Sequence, residues 1–403
     1  MNLSFHSRFA RTFALTALSC VIAANGASTI FTNSYARASG DGIQGGYISD
    51  DTVSKYNAHA YIWHGDNASN VDLNPANADY SKVLGISRNG QYQTGDARIN
   101  GTYYGAIWQG SAASATLYTP PAWANASIIE GITNDGLHAS GYSTKNNVWD
   151  AELWTPGQSG QVSINPDTAT SSYAYKVVDA NQGKDMEIAG WAQFGDQHAY
   201  LWRFNSDGSN TSVDLNPDGF QYSAAWDVQP SSTLTPDGGV AVGNAFDGSN
   251  LHAMEWKGSA NNYTDLTPYG LGFTDAEAQG INTAGEVVGD AYDSYRFDAM
   301  VWDTSGHATD LQQFLPANYY SSTAYSIDDA GNVLGVANYD FGNYEYSGAY
   351  AVLWTPNTAA RRFGQSTVTY TAHFLYPVPE PTSMVALGLG VAAAIRRRRK
   401  AQG

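Results

Sequence analysis

The side chains best suited to chemistry in this chain are histidines and carboxylates that return at fixed places. His59, His198 and His252 each open a His-Ala-x-x-Trp segment, and Asp150 and Asp298 stand at the same place in two others. An imidazole there has the pKa range for general-base work or for binding a metal. A catalytic group, however, acts in a unique constellation. A residue that recurs with every copy of a pattern is expected to tie strands together or cap them. The same reasoning covers Asp72, Asp214, Asp265 and Asp310 of the repeated "DL" elements, expected to accept backbone amides at turns. His64, His138, His307 and His373 are scattered singly, without ligand spacing.

Two loops, "DNASN" from residue 66 and "NSDGSN" from residue 205, gather oxygen donors that suit a hard cation such as calcium. Neither has the spacing of an EF-hand or of a glycine-rich calcium repeat, and polar hairpin tips look the same. No cofactor is expected, with calcium kept as a candidate. No GxSxG, Walker loop, zinc signature or dinucleotide fingerprint occurs. Propeller enzymes assemble sites from several loops, so this absence weighs only against those classes.

The elements that must position such residues form a repeat. Seven strand-like segments end in tryptophan: Trp63, Trp108, Trp154, Trp202, Trp256, Trp302 and Trp354, spaced 45 to 54 residues apart. Identical placement is what packing demands, so these seven are read as core. "VDLNP" recurs at Val71 and Val213, with "TDLTP" at Thr264 and "TDL" at Thr309. Hairpins such as "GINTAGEVVGDA" (280–291) and "SIDDAGNVLGVA" (326–337) precede the later tryptophans. An Asn or Asp with Gly between two apolar runs is a tight-turn signature. Four short strands in each unit make a blade, and the length predicts an all-β β-propeller of seven four-stranded blades. Six blades or a β-solenoid is the fallback. The first unit lacks a visible leading strand, and "STVTYTAHF" (366–374) is expected to pair with N-terminal strands in a blade built from both ends.

The His-Ala-x-x-Trp pattern resembles the HAF family of extracellular repeats across nearly the whole body. That resemblance implies a location and a repeat type and names no activity.

Both ends read as addresses. Arg8 and Arg11 followed by "FALTALSCVIAA" (13–24) form a secretory leader, with small residues suited to signal peptidase at Ala27 and at Ala38. Ala38 is preferred, giving a leader over 1–38. The apolar run is too short for a retained anchor. Cys20 lies inside the leader, where a lipoprotein reading fits poorly, and it is the only cysteine, so the mature protein has none. The tail, 377–403, holds Pro379-Glu380-Pro381, an apolar run (383–395) and Arg396, Arg397, Arg398 and Arg399. Counted from Pro377, it is just long enough for a single short transmembrane helix, with its arginines held on the cytoplasmic side.

This order of parts resembles the PEP-CTERM sorting signal of Gram-negative bacteria. The resemblance implies recognition by an exosortase, a membrane-embedded cysteine transpeptidase, and processing near Pro379-Glu380-Pro381. The tail would then touch the membrane only transiently, with the protein destined for the cell surface or extracellular matrix, commonly of a cell that makes exopolysaccharide.

Between the two addresses, segment 39–376 keeps 12 basic residues against 36 acids, a balance of −24. That field repels phosphate backbones, which argues against a nucleic-acid partner. The expected function is a non-enzymatic binding module for a glycan or a protein. Aromatic residues outside the repeat frame are the candidate contacts: Trp123, Trp149, Trp226, Tyr319, Tyr320 and Tyr344. Trp191 is read as core. The rivals are a carbohydrate-active lyase or glycosidase with a site in the propeller's funnel, and a purely structural matrix protein.

Overall fold

Every second strand of the repeat carries a glycine, as in "EVVGDA", and the geometry around it organises the body. In the computed structural model the described residues are 33–49 and 57–375, apart from 158–159, 181–184, 206, 230–238, 294–295, 341–346 and 358–367. They contain β-strands and short 3-10 turns. The first sheet runs β1 (Asn33–Gly40), β2 (Ile43–Ser49), β3 (Ala58–Trp63) and β4 (Val71–Asp72). Then follow β5 (Tyr80–Ile86), β6 (Gln93–Ile99), β7 (Thr102–Trp108) and β8 (Thr116–Tyr118). Next come β9 (Ala126–Ile132), β10 (Ala139–Lys145), β11 (Val148–Trp154) and β12 (Gln161–Ser163).

A further sheet holds β13 (Ser171–Ala180), β14 (Asp185–Gln193), β15 (Gln197–Phe204) and β16 (Asn210–Asp214). After it come β17 (Tyr222–Gln229), β18 (Val240–Phe246), β19 (Leu251–Lys257) and β20 (Tyr263–Asp265). The last two sheets are β21 (Asp275–Ile281), β22 (Val287–Tyr292), β23 (Phe297–Trp302), β24 (Ala308–Asp310), and β25 (Tyr319–Ile327), β26 (Val333–Asp340), β27 (Ser347–Pro356), β28 (Tyr370–Phe374).

The all-β propeller class stands, but the expected seven separate four-stranded blades do not. Five sheets are four-stranded, and β5 to β12 form one eight-stranded sheet. β8 pairs only Gly105, Ala106 and Ile107 of β7. The start of β7 is left open, and β9 docks there in parallel through Tyr103 and Ala126. The expected C-terminal membrane helix falls outside the described residues. Among those described, no helix is long and apolar enough to cross a membrane.

The closure expected from residues 366–374 is also corrected. β28 pairs antiparallel with β27, its neighbour in sequence, and not with N-terminal strands. The leading strand of the first unit is β1. The ring is instead joined by the device used between other sheets, in which the Ala of the His-Ala-x-x-Trp strand donates its N–H to a hydroxyl on the next inner strand. Ala60 reaches Ser81 Oγ at 3.0 Å, Ala199 reaches Ser223 Oγ at 2.9 Å and Ala299 reaches Ser322 Oγ at 3.1 Å. Ala351 closes the circle on Ser34 Oγ at 2.9 Å, beside Ala349 N–H on Asn33 Oδ1 at 3.0 Å. Ala36, Ile48 and Trp63 pack there against Leu334, Ala351, Leu353 and Leu375. All seven repeat tryptophans are buried, six of them completely. Each is a large apolar side chain worth roughly 3–5 kcal/mol against alanine.

Candidate functional site

The innermost strand of each unit is antiparallel to the second strand, and every such pairing is interrupted at an equivalent place, with one further shift at Tyr320 of β25. The equivalent shifts leave unpaired Arg37 on β1, Leu84 on β5, Glu130 on β9 and Tyr175 on β13. Trp226 on β17, Gln279 on β21 and Tyr325 on β25 complete the set. Each is the extra residue of a β-bulge, and a bulge turns a side chain out of the ladder. All seven line one central cavity of about 370 Å³, within the size range of small-ligand sites.

The second-strand glycine is what permits the bulge. It faces the residue just before the bulge, and a Cβ there would collide with the carbonyl one residue earlier. Gly46 meets Tyr35 O, Gly95 meets Lys82 O, Gly190 meets Tyr173 O and Gly243 meets Ala224 O; Gly141, Gly289 and Gly335 meet the equivalent atoms.

The cavity is aromatic and donor-rich. Tyr175 lies 4.5 Å from Trp226 and 4.2 Å from Tyr173, ring to ring, and takes a 3.3 Å hydrogen bond from Trp191 Nε1. The Arg37 guanidinium stacks over Tyr325 at 4.5 Å and reaches the Tyr47 hydroxyl. Its Nε, like Trp226 Nε1, has no hydrogen-bond partner among the described residues. Glu130 accepts from the Tyr173 hydroxyl at 2.7 Å. Burial raises the Glu130 carboxyl above its ordinary range, opposed by that bond and by Arg37 and Lys82. Burial likewise lifts Tyr173 and Tyr175 well above the usual phenol value. Nearby Asp96 is pushed up to about 7 by burial, with Lys82 drawing it down.

One end of the channel is stopped. Lys176 Nζ crosses to Ile86 O at 3.2 Å, and Arg88 Nη2 reaches Val228 O at 3.0 Å and Ile281 O at 3.3 Å. Burial lowers the Lys176 pKa, opposed by Asp227. A space of about 10 Å³ lies among these groups, room for no more than a water, and Arg88 and Lys176 also border a separate space of about 160 Å³ beside Asn134 and Thr283. The hairpin tips around this end are bonded in sequence, Asn89 N–H to Asn134 Oδ1 and Asn134 N–H to Asp179 Oδ2. Asp227 belongs to this framework: its carboxylate accepts the N–H groups of Val228 at 2.8 Å and Ile281 at 3.1 Å.

Of the candidate contacts read from sequence, Trp226 lines the cavity. Trp123 is exposed in the loop before β9. Trp149 donates its N–H to Ser171 Oγ and meets Trp191 edge-on at 6.1 Å. Tyr319 is buried against Tyr339 and Phe374, Tyr320 beside it is exposed, and Tyr344 lies outside the described residues. Arg37, Glu130, Tyr175, Gln279 and Tyr325 escaped sequence reasoning. Their signal is positional, since each later bulge residue comes two before the Ile or Val of a "GIN"-like strand end.

The recurring histidines and aspartates meet each other. His59 Nδ1 is 3.0 Å from Asp72, His198 is 2.7 Å from Asp214 and His252 is 3.0 Å from Asp265. The second carboxylate oxygen of each Asp takes a backbone N–H two residues on, from Asn74, Asn216 and Thr267. Where Asp150 replaces the histidine, Ser163 replaces the aspartate and donates at 2.7 Å. The oxygen-rich loops use their donors locally, Asp66 on Ala68 and Ser69 N–H, Asp207 on Ser209. Among the described residues no group of three or more His, Cys, Asp or Glu converges on a metal position.

Residues 377–400 match the PEP-CTERM protein-sorting motif. None of the curated proteins matches this sequence. Among solved structures, the β-propeller domain of the trilobed protease from Pyrococcus furiosus, reported with an open velcro topology, aligns at TM-score 0.51 and 9% identity over 85% of this chain and 96% of that one. Prolyl oligopeptidase B from Galerina marginata aligns at 0.54 and 10% over 85% and 51%, and the Pyrococcus horikoshii acylaminoacyl peptidase at 0.51 and 11% over 85% and 52%. The chain spans about half the length of these two peptidases, and identities this low speak for fold alone. The HAF resemblance of the body is not shown by these matches. A β-propeller body that ends in a PEP-CTERM signal is an exported protein that an exosortase sorts to the surface of a Gram-negative cell.

Proposed function

We propose that the propeller is a non-catalytic surface module that binds a saccharide in its central cavity. The observation that carries this reading is the ring of bulges: the fold holds the seven positions in common, yet fills them with an Arg, a Leu, a Glu, a Gln, two Tyr and a Trp. Aromatic faces for a sugar ring beside polar groups for its hydroxyls are the chemistry of a glycan site. A glycosidase needs a second carboxylate free to act. Asp227, the other acid of the cavity, is committed to backbone N–H groups, which favours binding over cleavage. The peptidase neighbours act through more chain than this one spans, so their activity is not carried over.

The test is titration calorimetry of the processed protein against oligosaccharides from the host's exopolysaccharide and a glycan array. Binding is expected, weakened tenfold or more by Trp226→Ala and unchanged by Trp123→Ala. Binding to no saccharide overturns the proposal in favour of a purely structural role, and release of shortened products overturns it in favour of a lyase or glycosidase.

A further inference from the structure

We infer that the cavity takes the end of a sugar chain, and that this end carries a carboxylate, as in a terminal hexuronic acid. The inference rests on the saccharide reading above. The end-on geometry follows from the stopped channel, where Arg88 and Lys176 leave about 10 Å³, so a polymer cannot thread through.

The acid follows from Arg37. The guanidinium lies over the Tyr325 ring at 4.5 Å, and its buried Nε has no acceptor among the described residues. Buried donors are nearly always paired, so an unpaired one on a charged residue that lines the cavity points to an acceptor from outside. A carboxylate matches the fork of a guanidinium in shape and charge. Glu130, fixed on Tyr173, remains to accept from ring hydroxyls. The net charge of the body, −24 over 39–376, opposes a polyanion along the surface, so one acid at the chain end fits better than a uniformly acidic polymer.

The processed protein is titrated with matched oligosaccharides ending in glucuronate or in glucose, and with a peptide ending in a free carboxylate. The uronate-ended sugar is expected to bind at least tenfold more tightly than the neutral one. Arg37→Gln is expected to erase that difference while leaving the neutral sugar bound. Equal binding of both sugars, or an unchanged preference in Arg37→Gln, overturns this inference and leaves the saccharide reading standing. Binding of the peptide alone overturns both.

A separate observation concerns the leader. β1 begins at Asn33, and its residues Asn33, Ser34 and Ala36 close the ring. Removal of residues 1–38 would delete them together with Arg37. The geometry points to Ala27 as the processing site, leaving β1 whole. N-terminal sequencing of the exported protein is expected to begin at Ser28, and Ala27→Asp to leave the precursor uncut. A mature chain beginning at Ser39 overturns this assignment.

Discussion

The requirement for glycine opposite each bulge can be tested at Gly243, the second-strand residue facing the bulge of Trp226. In an ordinary strand, Gly→Ala at a compatible conformation stabilises by about 0.4–1 kcal/mol, because the unfolded chain loses freedom. At Gly243 the new Cβ meets Ala224 O and Ala225 Cα, which are backbone and cannot swing aside. Either β17 and β18 part or the bulge is lost, a strain of roughly 1–3 kcal/mol or more. At about 2–4 °C per kcal/mol, Gly243→Ala should lower Tm by several degrees. It should also shift Trp226 emission and weaken ligand binding. Gly289→Ala, the equivalent change in the neighbouring sheet, should lower Tm as well. Gly270→Ala, with open space around its Cβ, should do neither. A Gly243→Ala protein with wild-type Tm would refute the link between glycine and bulge.

Ser34→Ala strands the buried Ala351 N–H, so a loss of roughly 1–3 kcal/mol in chemical denaturation is expected, matched by Ser322→Ala at an interior joint. His198→Ala removes only a half-exposed pair worth up to about 1 kcal/mol, so its Tm should barely move, whereas Asp214→Ala also frees Asn216 N–H and should cost more. Burial pushes Glu152 up to about 7, partly offset by the Ser143 hydroxyl, so the folded state holds a proton that the unfolded chain releases at lower pH. Its contribution is therefore full below about pH 4 and is lost as pH rises through 7; Glu152→Gln should flatten thermal stability between pH 5 and 8 by roughly 1–3 kcal/mol. Neutral replacements of Arg396, Arg397, Arg398 and Arg399 should leave a heavier, cell-retained form on immunoblots, and unchanged processing would contradict the sorting reading.

The tail, the hairpins and the tryptophan core were legible because each is defined by local order or by recurrence. The open edge of β7 was not. The joint there is a single parallel contact of Tyr103 with Ala126, and outer strands as short as β8 leave other sheets separate, so no local pattern announces it. Closure was misread because the alternation in "STVTYTAHF" fits any free strand edge, and the competition was won by β27, its neighbour in sequence. β1 instead meets β27 through side chains, Asn33 Oδ1 and Ser34 Oγ accepting its N–H groups, contacts that strand periodicity does not reveal.

The site escaped for a more general reason. Trp226 stands outside the repeat frame, whereas Glu130 stands inside it and Arg37 falls within the leader expected over 1–38. A β-bulge removes one residue from the pairing ladder, and with it the demand that the residue suit a strand. Around this ring the glycine and the small or apolar residue before the bulge are set by packing, and the bulge residue is set by nothing in the fold. Leu84 and Glu130, neighbours around the channel, show how far apart such choices can lie. In a repeat protein of this kind, the positions to examine for ligand chemistry are those where every copy agrees on its neighbours and differs in the residue itself. The same rule explains why the His–Asp pairs, though richest in reactive groups, are structural: three copies keep the pair, Asp150 is exchanged together with Ser163, and Asp298, opposite the retained Asp310, takes Arg296 as its partner, which is the pattern of a clip under packing constraint.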